Sequence, residues 1–236
     1  MKKLLISLCL FVCYSISYGL TLDNLQNRIR FEAGDPVSSI GQWFSTATIN
    51  FYINDAQLDI VSKTHCLQKI VYKNVSVGIA TYILPNDYLK VKRVSFATTT
   101  STDNTKLLYY YDLYGLDSLS EIWESTTTAI PDKYYILGSS ICLIPTPNVN
   151  GILLKINYVA QPTTLSTGTD YPFNNEFELY PYHRLIISYA VAKLKANRGL
   201  YNDAVYYENR YIQEIQLMIQ ELRSKPDYIP QYGGGK

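Results

Sequence analysis

Hydrophobic spacing along the chain changes period twice. In residues 21–33, Leu22, Leu25 and Ile29 recur at helical spacing behind Thr21 as N-cap, and Gly34-Asp35-Pro36 stops the run. Ser45 or Thr46 opens a second helix to about residue 63, with Ile49, Ile53, Ala56 and Ile60 on one face. Then the period shortens. Val75, Val77, Ile79, Tyr82 and Leu84 alternate with a break near Gly78, Leu84-Pro85-Asn86-Asp87 reads as a turn, and Leu89, Val91, Arg93, Val94 and Phe96 read as a strand. The polar stretch 98–104 is a loop, 107–111 a strand and 117–124 a short helical turn. Residues 134–137 and 141–144 form a hairpin about Gly138-Ser139-Ser140, and 152–158 a further strand. Helical spacing returns from Glu176 or Tyr182 to Arg198-Gly199. It resumes from Asn202 or Asp203 to about residue 225, where Pro226 ends it.

The order predicts an α+β fold: a helical bundle (20–70 and 174–225), an inserted small antiparallel β-sheet subdomain (71–173) and an extended C-terminal tail (226–236). Before them stands an apolar, signal-like N-terminal segment (1–19), in which Lys2 and Lys3 precede an apolar run over 4–12 and the small residues Ser17 and Gly19. It reads either as a secretory leader or as an apolar helix that is never cleaved.

Composition narrows the function. A chain of 236 residues, 47% hydrophobic and 14% aromatic, has ample material for a core. With 21 Lys+Arg against 20 Asp+Glu and no basic block, a dedicated nucleic-acid binder is disfavoured. The 23 tyrosines point to interfaces, since a tyrosine buries a ring and keeps a hydroxyl for a wet edge.

Recognisable catalytic motifs are missing from the sequence: it has no G-x-S-x-G, Walker, GxGxxG or HExxH. His65-Cys66 lacks the further ligands that zinc needs, so no metal and no cofactor is expected. His183 is read as a helix-start histidine bonded to backbone or to a tyrosine, and Asp55 with Asp59 as a solvated pair on one helix face. Cys66 and Cys142 are the one disulfide pair available if 1–19 is lost. Tyr109, Tyr110 and Tyr111 read as a stacking surface for bases or sugars, or as a strand at a subunit edge. Tyr201, Tyr206, Tyr207 and Tyr211 read as an exposed helix face, on which the adjacent Tyr206 and Tyr207 cannot both point inward.

Phe51-Tyr-Ile-Asn-Asp-Ala-Gln57 resembles the head-to-tail adaptor (connector) proteins of tailed bacteriophages. The resemblance continues through Leu84-Pro-Asn-Asp-Tyr-Leu-Lys-Val-Lys-Arg-Val94, Ile130-Pro-Asp-Lys-Tyr-Tyr135, Ile141-Cys-Leu-Ile-Pro-Thr-Pro147 and Gly151-Ile-Leu-Leu-Lys-Ile-Asn-Tyr158. Tyr182-His-Arg-Leu-Ile-Ile-Ser-Tyr-Ala190 and the helix with Ala204, Tyr207, Glu208 and Tyr211 complete it, over about residues 20–225. It implies a non-enzymatic virion protein of the head-tail neck, assembled in the host cytoplasm as a homo-oligomeric ring, commonly a dodecamer, beneath the portal. Its implied partners are the portal protein, tail or tail-nozzle proteins and double-stranded DNA passing non-specifically through the lumen, with no small-molecule substrate. Carried onto this chain, Asp227, Tyr228, Ile229, Pro230 and Tyr232 are the portal-binding residues, and Tyr206, Tyr207, Tyr109 and Tyr110 the subunit interface. The alternative, drawn from the leader-like start and the tyrosines, is a secreted or periplasmic ligand- or glycan-binding module using Trp43 or Trp123.

Overall fold

The computed structural model describes residues 19–36, 41–97, 105–119 and 129–224. Helix α1 (Leu22–Ala33) starts as its sequence predicts, with the Thr21 hydroxyl accepting from the Asn24 N–H at 3.4 Å. Gly34 ends it in the left-handed region (φ 73°), returning its N–H to the Arg30 and Phe31 carbonyls. Helix α2 (Thr46–Thr64) is capped by Ser45, and Ile49, Ile53, Ala56 and Ile60 are all fully buried. Its far cap is His65, held at φ 55°.

Seven strands follow: β1 (Gln68–Val75), β2 (Thr81–Ile83), β3 (Tyr88–Ala97), β4 (Thr105–Tyr110), β5 (Lys133–Leu137), β6 (Ser140–Ile144) and β7 (Ile152–Ala160). They form a single sheet in the order β1-β7-β3-β4-β5-β6-β2. Strands β1 and β2 stand at opposite ends of that order but are joined by the turn at 76–80, so the sheet curls until nearly closed. Val75, Val94, Phe96, Leu108, Ile141, Leu154 and Ile156 meet in one inner cluster. The β5–β6 hairpin turns on Gly138 (φ 58°), the positive φ that the first central position of a type II′ turn demands.

Three expectations are corrected here. The first strand lies earlier than the alternation from Val75 implies. Residues 68–75 pair with β7 from Gln68↔Val159 to Val75↔Ile152, whereas Val77 and Ile79 occupy the turn. The sheet is not wholly antiparallel, because β4 and β5 run parallel at Tyr109↔Lys133 and Tyr110↔Tyr134. A parallel pair needs a crossover, and helix α3 (Leu113–Leu119) begins that crossover, four residues before the helical turn expected at 117–124. Of that expected turn, residues 120–128 lie outside the described residues.

After β7, two 3-10 turns at Phe173–Asn175 and Phe177–Tyr182 lead into α4 (His183–Asn197) and α5 (Tyr201–Ser224). The four long helices share a second core that includes Leu25, Ile29, Ile53, Ile186, Val191 and Met218. Tyr158, Val159 and Ala160, at the end of β7, belong to this helical core, so β7 runs from one core into the other. Val71 and Tyr88 pack against both. None of the described helices is long and apolar enough to cross a membrane.

Candidate assembly surface

Helix α5 determines the outer surface of the helical half. Its buried stripe is Ala204, Tyr211, Ile215, Met218 and Leu222. Ala204 and Tyr211 turn inward, leaving Tyr201, Val205 and Ile212 as an exposed row at helical spacing. Tyr206 is 64% exposed, while its neighbour Tyr207 packs on the core, the two rings edge to face at 5.4 Å. One of the adjacent pair thus meets water.

Tyr211 corrects the reading of an exposed tyrosine face. It is buried, and its hydroxyl donates to Asp59 on α2, which also receives Lys63 Nζ at 2.6 Å. Tyr189 of α4 donates in parallel to Asp55, at 2.5 Å, and the two rings meet edge to face at 5.2 Å. Asp55 and Asp59 are therefore neither a solvated pair nor a dyad; each accepts a tyrosine hydroxyl from a neighbouring helix. Burial, then the carboxylate, pushes both tyrosine pKa values above their ordinary range, so both hydroxyls stay protonated as donors. Beside them a shallow cleft of about 180 Å³ opens between α2, α4 and α5, edged by Lys63, Lys193 and Glu208.

The sheet presents a different aromatic surface. Tyr109 (63% exposed) and Tyr110 lie on β4, and Leu113 and Tyr114 of α3 follow directly, also exposed. The ring of Tyr110 leans on core Tyr134 at 5.6 Å. Tyr114 was not singled out from the sequence because the helix was expected further on. Tyr109 and Tyr110 belong to the sheet half and Tyr206 and Tyr207 to the helical half. The strands also carry Lys and Arg but no Asp or Glu. Their acidic partners stand in the flanking loops, as in Lys69–Asp87 and Lys133–Asp132, both at 2.9 Å. This cationic sheet is assembled from scattered residues and is invisible as a run of sequence.

His183 takes the structural role its position suggests. It is fully buried, and its Nδ1 accepts the Leu20 N–H at 2.9 Å. Burial holds its pKa down to about 4, so the ring is neutral and the proton sits on Nε2. His65 is likewise held at about 4, by burial and by the nearby Lys92 and Lys90. Burial pushes the Cys66 thiol up to about 11, which leaves it a poor nucleophile. Cys66 and Cys142 are free thiols. Among the described residues, no three His, Cys, Asp or Glu side chains gather as a metal site. Trp43 stacks on the Arg198 guanidinium at 3.4 Å. Trp123 and the tail residues Asp227, Tyr228, Ile229, Pro230 and Tyr232 lie outside the described residues.

What the surface offers is contact: two aromatic faces on a body held together by interhelical clamps, as befits a structural component of a larger assembly. The family follows from the sequence match. Residues 20–230 match the family model described as SU10 adaptor protein, and the chain belongs to that family of bacteriophage adaptors, as the resemblance in its motifs implies. No curated protein matches it.

Proposed function

We propose that this chain is the ring-forming head-to-tail adaptor of a tailed bacteriophage, seated on the portal and giving the tail its attachment platform. Family membership over residues 20–230 carries the reading. A ring requires head-to-tail contacts, in which one face of a protomer meets a different face of the next. The exposed row on α5 and the β4–α3 face are two such unlike surfaces. The tail (226–236), with Tyr228, Ile229 and Tyr232 among prolines and glycines, suits a segment that orders on a partner. Attachment then waits on a completed portal. DNA passes through the lumen without base recognition.

Electron microscopy of the purified protein mixed with portal rings tests this directly, with stacked annuli expected. A chain truncated at residue 225 keeps its fold and loses portal attachment; co-sedimentation of that truncated chain with portal rings would refute the assigned role of the tail.

A further inference from the structure

The outer face of the sheet carries cations that the chain itself leaves unused. Val71, Ile156 and Val94 pack in the inner cluster, so the residues alternating with them point outward. There Arg93 of β3 stands opposite Asn157 of β7, and Ser95 opposite Lys155. The two cations occupy one diagonal of a square, and two buried neutral side chains the other. Ile70 and Tyr72 of β1 flank the square on one side, Leu107 and Tyr109 of β4 on the other. Arg93 Nε is buried without a hydrogen-bond partner, and Lys155 Nζ lies over the Tyr72 ring at 5.9 Å. Among the described residues neither cation pairs with a carboxylate.

An unused carboxylate stands on α5. Glu208 is exposed and falls within the row of Tyr201, Val205 and Ile212, at helical spacing from each. Among the described residues it has no ion pair. Of the lysines that edge the cleft with it, Lys63 is bonded to Asp59 and Lys193 lies over the Tyr189 ring. Within one chain α5 packs against α2 and α4, which leaves this row facing outward.

We propose that the outer face of β1, β7, β3 and β4 receives α5 of a second copy of this chain, with Glu208 seated between Arg93 and Lys155. The contact rests on the ring reading and supplies its joint, because one face of each copy meets a different face of the next. The dimensions agree. Along the helix axis Val205 and Ile212 lie about 4.5 and about 6 Å from Glu208. Strands spaced by about 4.8 Å place β1 and β4 each about 7 Å from the line between β7 and β3. A helix laid across the strands brings Ile212 to one apolar flank and Val205 with Tyr201 to the other, while the carboxylate meets both cations. The row reads apolar, acidic, apolar; the sheet reads apolar, cationic, apolar. A DNA backbone would satisfy the two cations but leave Ile70 and Leu107 without apolar partners.

The test reverses charges in the full 236-residue chain and reads assembly by sedimentation velocity and electron microscopy, with and without portal rings. Wild type is expected to form annuli, and Arg93→Glu and Glu208→Arg each to remain monomeric with wild-type helical circular dichroism. An equimolar mixture of the two variants is expected to recover annuli. Where the copies alternate, the introduced carboxylate faces the introduced guanidinium and the other joint is native. If Arg93→Glu fails to fold, Lys155→Glu mixed with Glu208→Lys replaces it with the same expectation. Annuli from either single variant, or a folded mixture that stays monomeric, overturn the contact while wild-type annuli keep the ring reading. Absence of annuli from wild type overturns both. Arg93→Glu annuli that assemble normally but lose retention of double-stranded DNA assign the face to nucleic acid and overturn the contact.

Discussion

Tyr211→Phe removes one oxygen from the interhelical clamp and leaves the ring in place. The lost group is a buried hydroxyl donating to Asp59, whose side chain is 28% exposed and keeps its bond to Lys63. A hydrogen bond to a charged group nets about 1.5–3 kcal/mol, and the retained lysine and partial exposure set the expectation at about 1–2 kcal/mol. Asp59→Ala does more harm, about 2–3 kcal/mol, because it leaves the Tyr211 hydroxyl buried without an acceptor. The double variant then costs less than the sum of the two. Tyr211 is raised above the ordinary tyrosine value of about 10 in the folded state, so the unfolded chain releases the proton first. Its contribution is therefore complete below about pH 10 and lost as pH rises beyond it. Urea unfolding of wild type and Tyr211→Phe, followed by helical circular dichroism at about pH 8 and about pH 11, measures both effects. The gap between the two proteins should shrink at the higher pH. A coupling energy below about 0.3 kcal/mol, or a gap that does not change with pH, refutes the clamp.

Other sites give independent expectations. Arg30 and Asp35 form an ion pair buried on both sides, with Arg30 also donating to the Phe44 carbonyl at 2.9 Å and Asp35 accepting the Trp43 N–H at 2.6 Å. Asp35→Ala strands the guanidinium and should cost about 3–5 kcal/mol in denaturant titration. His65→Gly relieves a left-handed cap at φ 55° and should raise the unfolding midpoint by an equivalent of about 0.5–1 kcal/mol. Cys66, its thiol held protonated by burial, should resist iodoacetamide at pH 8 in the folded protein and react promptly in urea, as read by mass spectrometry. Val205→Glu on the exposed α5 row should leave stability within about 0.5 kcal/mol of wild type while abolishing rings in electron micrographs.

Local chemistry made much of the helical half legible. Thr21, Gly34 and Ser45 act on backbone groups within four residues, so their caps follow from neighbouring sequence alone. The stripes of α1 and α2 follow for the same reason, since helical periodicity is a property of one segment. The strands were harder. Val75, Val77 and Ile79 alternate like a strand, yet the pairing of β1 with β7, some 80 positions distant, takes residues 68–75 and leaves 77 and 79 in a turn. Nor could a local pattern show that β4 and β5 run parallel.

The surface divides the same way. Sequence alone specified an abundance of tyrosine, a paired Tyr206-Tyr207 of which one must face out, and the ordered motifs that carry the family. Only the folded chain decided which tyrosines are spent internally: Tyr189 and Tyr211 turn in because carboxylates on α2 wait for their hydroxyls. It also gathered the cations of separate strands into one sheet and set the buried His183 against Leu20, 163 positions away. Caps and periodicity are energies between near neighbours in sequence, whereas burial and charge pairing depend on groups that become neighbours only when the chain closes on itself.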